Sequence, residues 1–253
     1  MSTVVDVTVC LLLVAVAVGT LTVAIPDEDA GHSVDSDPSA EAVTTVTASV
    51  PVEAGHHAHG TLAQHLARAV LLSAKLDGES LFASSYPAAV REAVEADTAD
   101  RVHVTARWRP YPDAPLSATL SAGSKPPSTA DVAATTITVD SGVAPSDGTT
   151  EPTAVSEAYV NRTFPPEQTR VALVDPRTAP RTADRYREAG DTLGVDVEPS
   201  ITDALPRQAN ERLSTALAER LDADPGSEAV DSHAEPSAVD PGTVEIVVRR
   251  WEP

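Results

Sequence analysis

His56, His57, His59 and His65 crowd into one short stretch, Gly55-His56-His57-Ala58-His59-Gly60 and the residues just after it. Neutral imidazole is a good ligand for zinc, copper or nickel, so metal chemistry is the first possibility to weigh. A built site also fixes each ligand ring through a second hydrogen-bonded partner. Here there is no His-Glu-x-x-His pattern and no cysteine pair beside the histidines, and His56, His57 and His59 fall where the chain reads as a loop before a helix. The expectation is a polar, flexible approach to that helix, with no metal ligand and no resident cofactor.

Other chemistries have less to stand on. The sequence holds no Gly-x-Ser-x-Gly, no Ser-x-x-Lys and no Gly-x-Gly-x-x-Gly, and its single cysteine, Cys10, sits in an apolar run. Gly123-Ser124-Lys125 lacks the spacing of a phosphate-binding loop and reads as a turn. The acidic segments contain no Asp-x-Asp-x-Asp-Gly calcium loop and read as hydrated surface. No catalytic residue is expected, and the chain is not expected to be an enzyme. Asn161-Arg162-Thr163 is an N-glycosylation sequon, which fits a domain outside the membrane. Arg107, Arg109, Arg249 and Arg250 flank Trp108 and Trp251. Arginine and tryptophan are favoured at binding edges. The preferred reading is that both tryptophans close the core, with guanidinium groups lying over their rims.

Charge narrows the partners. Against 38 acidic residues stand 18 basic ones, only Lys75 and Lys125 of them lysines, for a net charge of −20. Such a surface repels phosphate backbones, so nucleic acid is not an expected partner. Acid-rich, lysine-poor, aromatic-poor composition is that of proteins from salt-loving archaea. Dense carboxylates keep a surface hydrated when salt screens their repulsion, and the fold should loosen when salt is withdrawn.

The stretch that organises the rest is Val7 to Ile25, which holds no charged residue. As a helix it would rise roughly 28 Å, about the hydrocarbon thickness of a bilayer. A signal peptide would need a basic start and a small-residue cleavage site, but Met1 to Val9 has no Lys or Arg. A core helix is rarely so long and uncharged. The stretch therefore reads as a retained membrane helix, ended by Pro26 and Asp27-Glu28-Asp29. The first basic residue is Arg68, so the positive-inside rule is nearly silent; the N-terminus is placed inside and the large domain outside. The organisation expected is an anchor over 1–26, an acidic linker over 27–41 and an extracytoplasmic α+β domain over 42–253. One cysteine allows no internal disulfide, and Cys10 is expected to pack as a small hydrophobe.

In that domain, β-branched Ala42 to Val52 reads as a first strand, confined to an edge by Pro51. Thr61 to Leu76 reads as a helix with Thr61 as N-cap and Gly78 as its stop, and a second helix covers Pro87 to Ala96. Arg101 to Arg109 alternates, with Val102, Val104, Ala106 and Trp108 on one face. Leu116 to Ala122 and Val132 to Val139 are further strands, separated by a turn at Gly123 to Pro127. Pro145 to Pro152 reads as a loop. Ser156 to Phe164 is a short helix, Thr169 to Val174 a strand, Ala183 to Leu193 a helix. Ile201 to Leu221 is a long helix with Leu205, Leu213, Leu217 and Leu221 on one stripe. Asp222 to Pro241 is a loop, and Thr243 to Trp251 a final strand. Arg107-Trp108-Arg109-Pro110 and Arg250-Trp251-Glu252-Pro253 both close a strand with Arg-Trp-x-Pro, hinting at two related helix-helix-strand units whose strands share a sheet, each tryptophan packed on helix residues.

Ser2-Thr3-Val4-Val5-Asp6-Val7 and the apolar run after it resemble archaeal type IV pilin-like proteins. The resemblance implies a membrane helix that doubles as the assembly core and an acid at position five, which Asp6 occupies once Met1 is removed. It implies that Asp6 pairs with the N-terminal amine of a neighbouring subunit. The chain departs from the pilin pattern in having no basic leader before Ser2. Farther along, Ala106-Arg107-Trp108-Arg109-Pro110-Tyr111-Pro112, the Gly123 to Pro127 turn and Thr163-Phe164-Pro165-Pro166-Glu167 resemble an uncharacterised haloarchaeal family. It comprises short membrane-anchored proteins that accompany pilus-like secretion machinery, with no activity to carry over. The expectation is a non-enzymatic membrane-anchored accessory or minor-pilin-like subunit of a cell-surface pilus- or secretion-type apparatus in a halophile, with the bilayer and pilin-like or secretion-system subunits as partners. The alternatives are an extracytoplasmic metal- or ligand-binding protein and a cell-envelope enzyme.

Overall fold

The computed structural model describes residues 38–52, 56–98, 100–110, 114–145, 151–222 and 240–252. Val7 to Ile25, with Asp6 and Cys10, lies outside the described residues. Among those described, no helix is long and apolar enough to cross a membrane. The elements in chain order are α1 (Pro38–Thr45), β1 (Thr47–Pro51), β2 (His57–Thr61), α2 (Leu62–Leu71), β3 (Lys75–Leu76), β4 (Glu79–Ser80), α3 (Tyr86–Asp97), β5 (Val102–Trp108), β6 (Leu116–Ala122), β7 (Asp131–Asp140), α4 (Pro152–Thr163), α5 (Pro166–Val174), α6 (Ala179–Leu193), α7 (Glu198–Thr202), α8 (Pro206–Asp222) and β8 (Thr243–Glu252). The fold is α+β, helices packed on an antiparallel sheet.

That sheet has six strands in the order β4-β3-β6-β5-β8-β7, and β1 and β2 form a separate two-stranded ribbon. The alternation expected in β5 is present. Val102, Val104, Ala106 and Trp108 join Val244, Ile246 and Val248 of β8 in the buried core. Cross-strand partners Val104–Val248 and Ala106–Ile246 bring those two rows together. Helix α2 lies against this face and buries Leu62, Leu66 and Val70 completely. Each such side chain contributes about 1.5–3 kcal/mol on leaving water. Its start is fixed by a capping box, in which Thr61 Oγ1 accepts from the Gln64 amide at 3.2 Å and Gln64 Oε1 accepts from the Thr61 amide at 2.9 Å.

Several expectations require correction. Ala42 to Thr45 is the end of a helix, not strand, and α1 begins at Pro38 inside the expected linker; Ala40 and Val43 face the core. The loop expected at the histidines is strand β2, paired with β1 from Thr47–Thr61 to Pro51–His57. Helix α2 ends at Leu71, not Leu76. Beyond it Lys75–Leu76 and Glu79–Ser80 form a hairpin whose turn, Asp77-Gly78, has φ of +52° and +88°. Asp-Gly is a strong signal for a two-residue turn, and only glycine adopts that backbone without strain. Thr169 to Val174 is helical, because Pro166 presets the first helical turn and Glu167 favours its N-terminus. Val171 and Val174, whose β-branching suggested a strand, face solvent at 70% and 67% exposure. The expected single helix over Ile201 to Leu221 is broken into α7 and α8. Pro206 disfavours helical backbone in the residue before it, Ala204 takes φ of +50°, and Leu205 is exposed rather than part of the stripe.

Candidate functional site

The histidines do not gather. His56 and the β2 residues His57 and His59 are exposed, while His65 is buried on α2. Among the described residues no group of His, Cys, Asp or Glu can hold a metal ion. His65 instead joins the ribbon to the helices. Its Nε2 donates to the Ala48 carbonyl at 3.1 Å, which in the neutral ring leaves Nδ1 to accept from the Tyr86 hydroxyl at 2.6 Å. A carbonyl oxygen can only accept, and that decides the tautomer.

Tyr86, at the start of α3, is the next link. Its ring lies under the Arg68 guanidinium, 5.1 Å from ring centre to the charged carbon. Burial raises the Tyr86 hydroxyl above its ordinary value, and the charge of Arg68 opposes that rise. The sequence Ala48–His65–Tyr86–Arg68 thus runs from a strand carbonyl through two buried rings to an exposed cation. Each member limits the freedom of the next.

A second arginine is held by different means. Arg162, on α4, donates from Nε to the Ser141 carbonyl at 3.3 Å. It lies so close to Gly142 that a side chain there would meet Arg162 Nε at 2.6 Å, and Gly142 has φ of +71°. The positive φ favours glycine at the turn, and the absence of a side chain there leaves room for the guanidinium. Arg68 and Arg162 line two adjoining hollows. One, about 430 Å³, is also bounded by His59, Gln64, Tyr86 and Asp140. The other, about 330 Å³, lies toward Gln168, Thr169, Thr182 and Arg185. Among the described residues no carboxylate is in ion-pair contact with Arg68 or Arg162. Chemically this cleft presents planar guanidinium donors to an oxyanion.

Sequence reasoning missed these arginines. The available signal was local: neither Arg68 nor Arg162 has an acidic residue three or four positions away on its helix, in a chain with 38 acids. Another site read from the sequence is used structurally. In the sequon, Asn161 Oδ1 accepts from Asn210 Nδ2 at 2.9 Å, and the buried Thr163 hydroxyl donates to the Tyr159 carbonyl at 3.0 Å. Asn210 is itself buried between Tyr186, whose hydroxyl donates to its Oδ1 at 2.7 Å, and the Phe164 carbonyl. The arginines beside the tryptophans do not stack on them. Among the described residues the guanidinium groups found over rings are Arg68 on Tyr86 and Arg185 on Phe164.

A family model described as a family of unknown function (DUF7284) matches residues 5–251. No curated protein and no solved structure matches the chain.

Proposed function

We propose, for a chain that belongs to the DUF7284 family of unknown function, a non-enzymatic accessory role in a cell-surface pilus- or secretion-type apparatus. In this reading Val7 to Ile25 anchors the chain in the bilayer, with the α+β domain outside the cell and the acidic surface suited to high salt. The observation that carries it is the uncharged Val7 to Ile25 stretch, followed by an acidic segment and, from Pro38 onward, a folded domain. A span of that length is costly to keep in water and matched to a bilayer. An acid so near the hydrocarbon is costly unless it lies at the headgroups or has a partner. In a pilin-like subunit that partner is a neighbour's N-terminal amine. Asp6→Ala should then leave the chain in the membrane fraction and abolish its co-purification with pilin-like or secretion-system subunits. Unchanged co-purification rejects the pilin-like role and leaves the anchor standing. A second reading, an extracytoplasmic ligand-binding protein, is favoured by the arginine cleft; metal is not the ligand that cleft suits.

A further inference from the structure

We infer that the cleft between α2 and α4 binds a small organic oxyanion, a carboxylate or phosphoryl group held between Arg68 and Arg162. This deepens the ligand-binding reading and stands whether or not the chain is tethered to a membrane. Three observations converge on it. First, the two guanidinium groups bound the same pair of hollows, and the larger, about 430 Å³, is of small-ligand size. Second, both are without a carboxylate partner among the described residues, although the chain carries a net charge of −20. Arg177, Arg187, Arg207 and Arg220, by contrast, are each neutralised by a carboxylate, Asp175, Glu198, Glu167 and Asp77 respectively. Third, each is positioned by a separate device. Arg68 rests on the Tyr86 ring, itself fixed by His65, and Arg162 is pressed against Gly142 and bonded to the Ser141 carbonyl.

Pre-positioned guanidinium groups lose less freedom on binding than mobile ones, and their planar forks match the two oxygens of a carboxylate or phosphoryl group. Gln64 and His59 line the same hollow and can donate to further oxygens. Asp140 lies on the hollow's rim, where its Oδ1 is occupied in accepting from the Gly142 amide at 2.7 Å. It therefore sets the glycine turn against which Arg162 packs.

The test is calorimetric titration of the full chain in detergent, at fixed potassium chloride, with inorganic phosphate in one arm and succinate in the other. Binding of one anion per chain is expected in at least one arm, and the arm that responds tells a phosphoryl ligand from a carboxylate. Arg68→Gln and Arg162→Gln should each weaken it about tenfold or more, as for loss of a charged fork. Both side chains are exposed, so the variants should keep the wild-type circular dichroism spectrum. Arg207→Gln, which removes a cation paired with Glu167 outside the cleft, should leave affinity unchanged. Tyr86→Phe keeps the ring under Arg68 but removes the bond to His65, and should weaken binding less than Arg68→Gln. No saturable binding in either arm, or binding indifferent to both glutamine variants, overturns the inference. Neither of those results bears on membrane anchorage or co-purification.

Discussion

Trp108 and Trp251 end neighbouring strands of one sheet with the same Arg-Trp-x-Pro sequence, yet they lie on opposite faces. In β5 the even-numbered residues face the core, and Trp108 falls in that row, 2% exposed. It stacks on Tyr159 of α4 with ring centres 5.2 Å apart, and its Nε1 donates to the Pro241 carbonyl at 2.8 Å. In β8 the core row is Val244, Ile246 and Val248. Trp251 is one step out of phase, opposite Val132 of β7 and in the row of Val247; it is buried too, at 8% exposure, but outside the cluster that holds Trp108. A one-residue change of phase moves a side chain through the sheet. The shared tetrapeptide therefore marks two strand ends but not two equivalent packing positions.

The two faces differ in what they hold together. On the core side Trp108, Tyr159, Phe82, Phe164 and Tyr186 make a continuous run of ring contacts, closing at 4.1 Å between Phe164 and Tyr186. The chain has only eight Trp, Tyr and Phe residues, 2, 4 and 2 respectively, so this run concentrates most of them where sheet meets helices. The opposite face carries Thr105, Thr119, Thr136 and Thr138 beside Arg107, Glu245 and Arg249.

The contrast can be broken by substitution. Trp108→Ala should cost roughly 3–5 kcal/mol, as for a fully buried aromatic, measured by chemical unfolding at fixed salt. A loss below about 1 kcal/mol would contradict its place in the core. Alkaline pH probes the same side. Burial raises the hydroxyls of Tyr86, Tyr159 and Tyr186 above the ordinary value of 10.0. A raised value favours the neutral form in the folded state, so the stability it contributes is complete below pH 10.0 and is lost as pH rises through the raised values. Unfolding midpoints should therefore fall above pH 10.0, and Tyr159→Phe should make that fall shallower. A midpoint flat through that range would contradict the burial of these rings. Trp251→Ala should have the smallest effect, roughly 1–2 kcal/mol. A cost equal to that of Trp108→Ala would mean the two faces are energetically alike.

How far the fold was legible follows from the kind of signal each region carries. Strands β5, β6, β7 and β8 were readable because a two-residue period survives in the sequence, and α2 because Thr61 caps a clear apolar stripe. The regions misread were decided by prolines and by a turn. Pro152 and Pro180 open helices earlier than apolar spacing suggested, Pro38 and Pro166 open helices where strands were expected, and Pro206 divides one. Asp77-Gly78 made a hairpin where a helix end was expected. The ribbon at the histidines has no apolar alternation and exists through pairing with β1, which no local pattern reports. The site was less legible than the fold. Arg68 belongs to it because Tyr86, eighteen positions on, lies beneath it, and Arg162 because Gly142 comes close in space. Such contacts across the chain leave only an indirect trace, the lack of acidic neighbours on their own helices. That the chain falls in an uncharacterised family is as its motifs suggested.

In the proposed function a membrane span, Val7 to Ile25, tethers this acidic α+β domain. Flotation on a density gradient, after lysis at high salt and extraction with alkaline carbonate, tests it most directly. The full chain should float with the lipid, and a variant lacking Met1 to Ile25 should stay in the soluble fraction with the circular dichroism of the folded domain. A full chain that remains soluble, or a cleaved domain released into the growth medium, would contradict it.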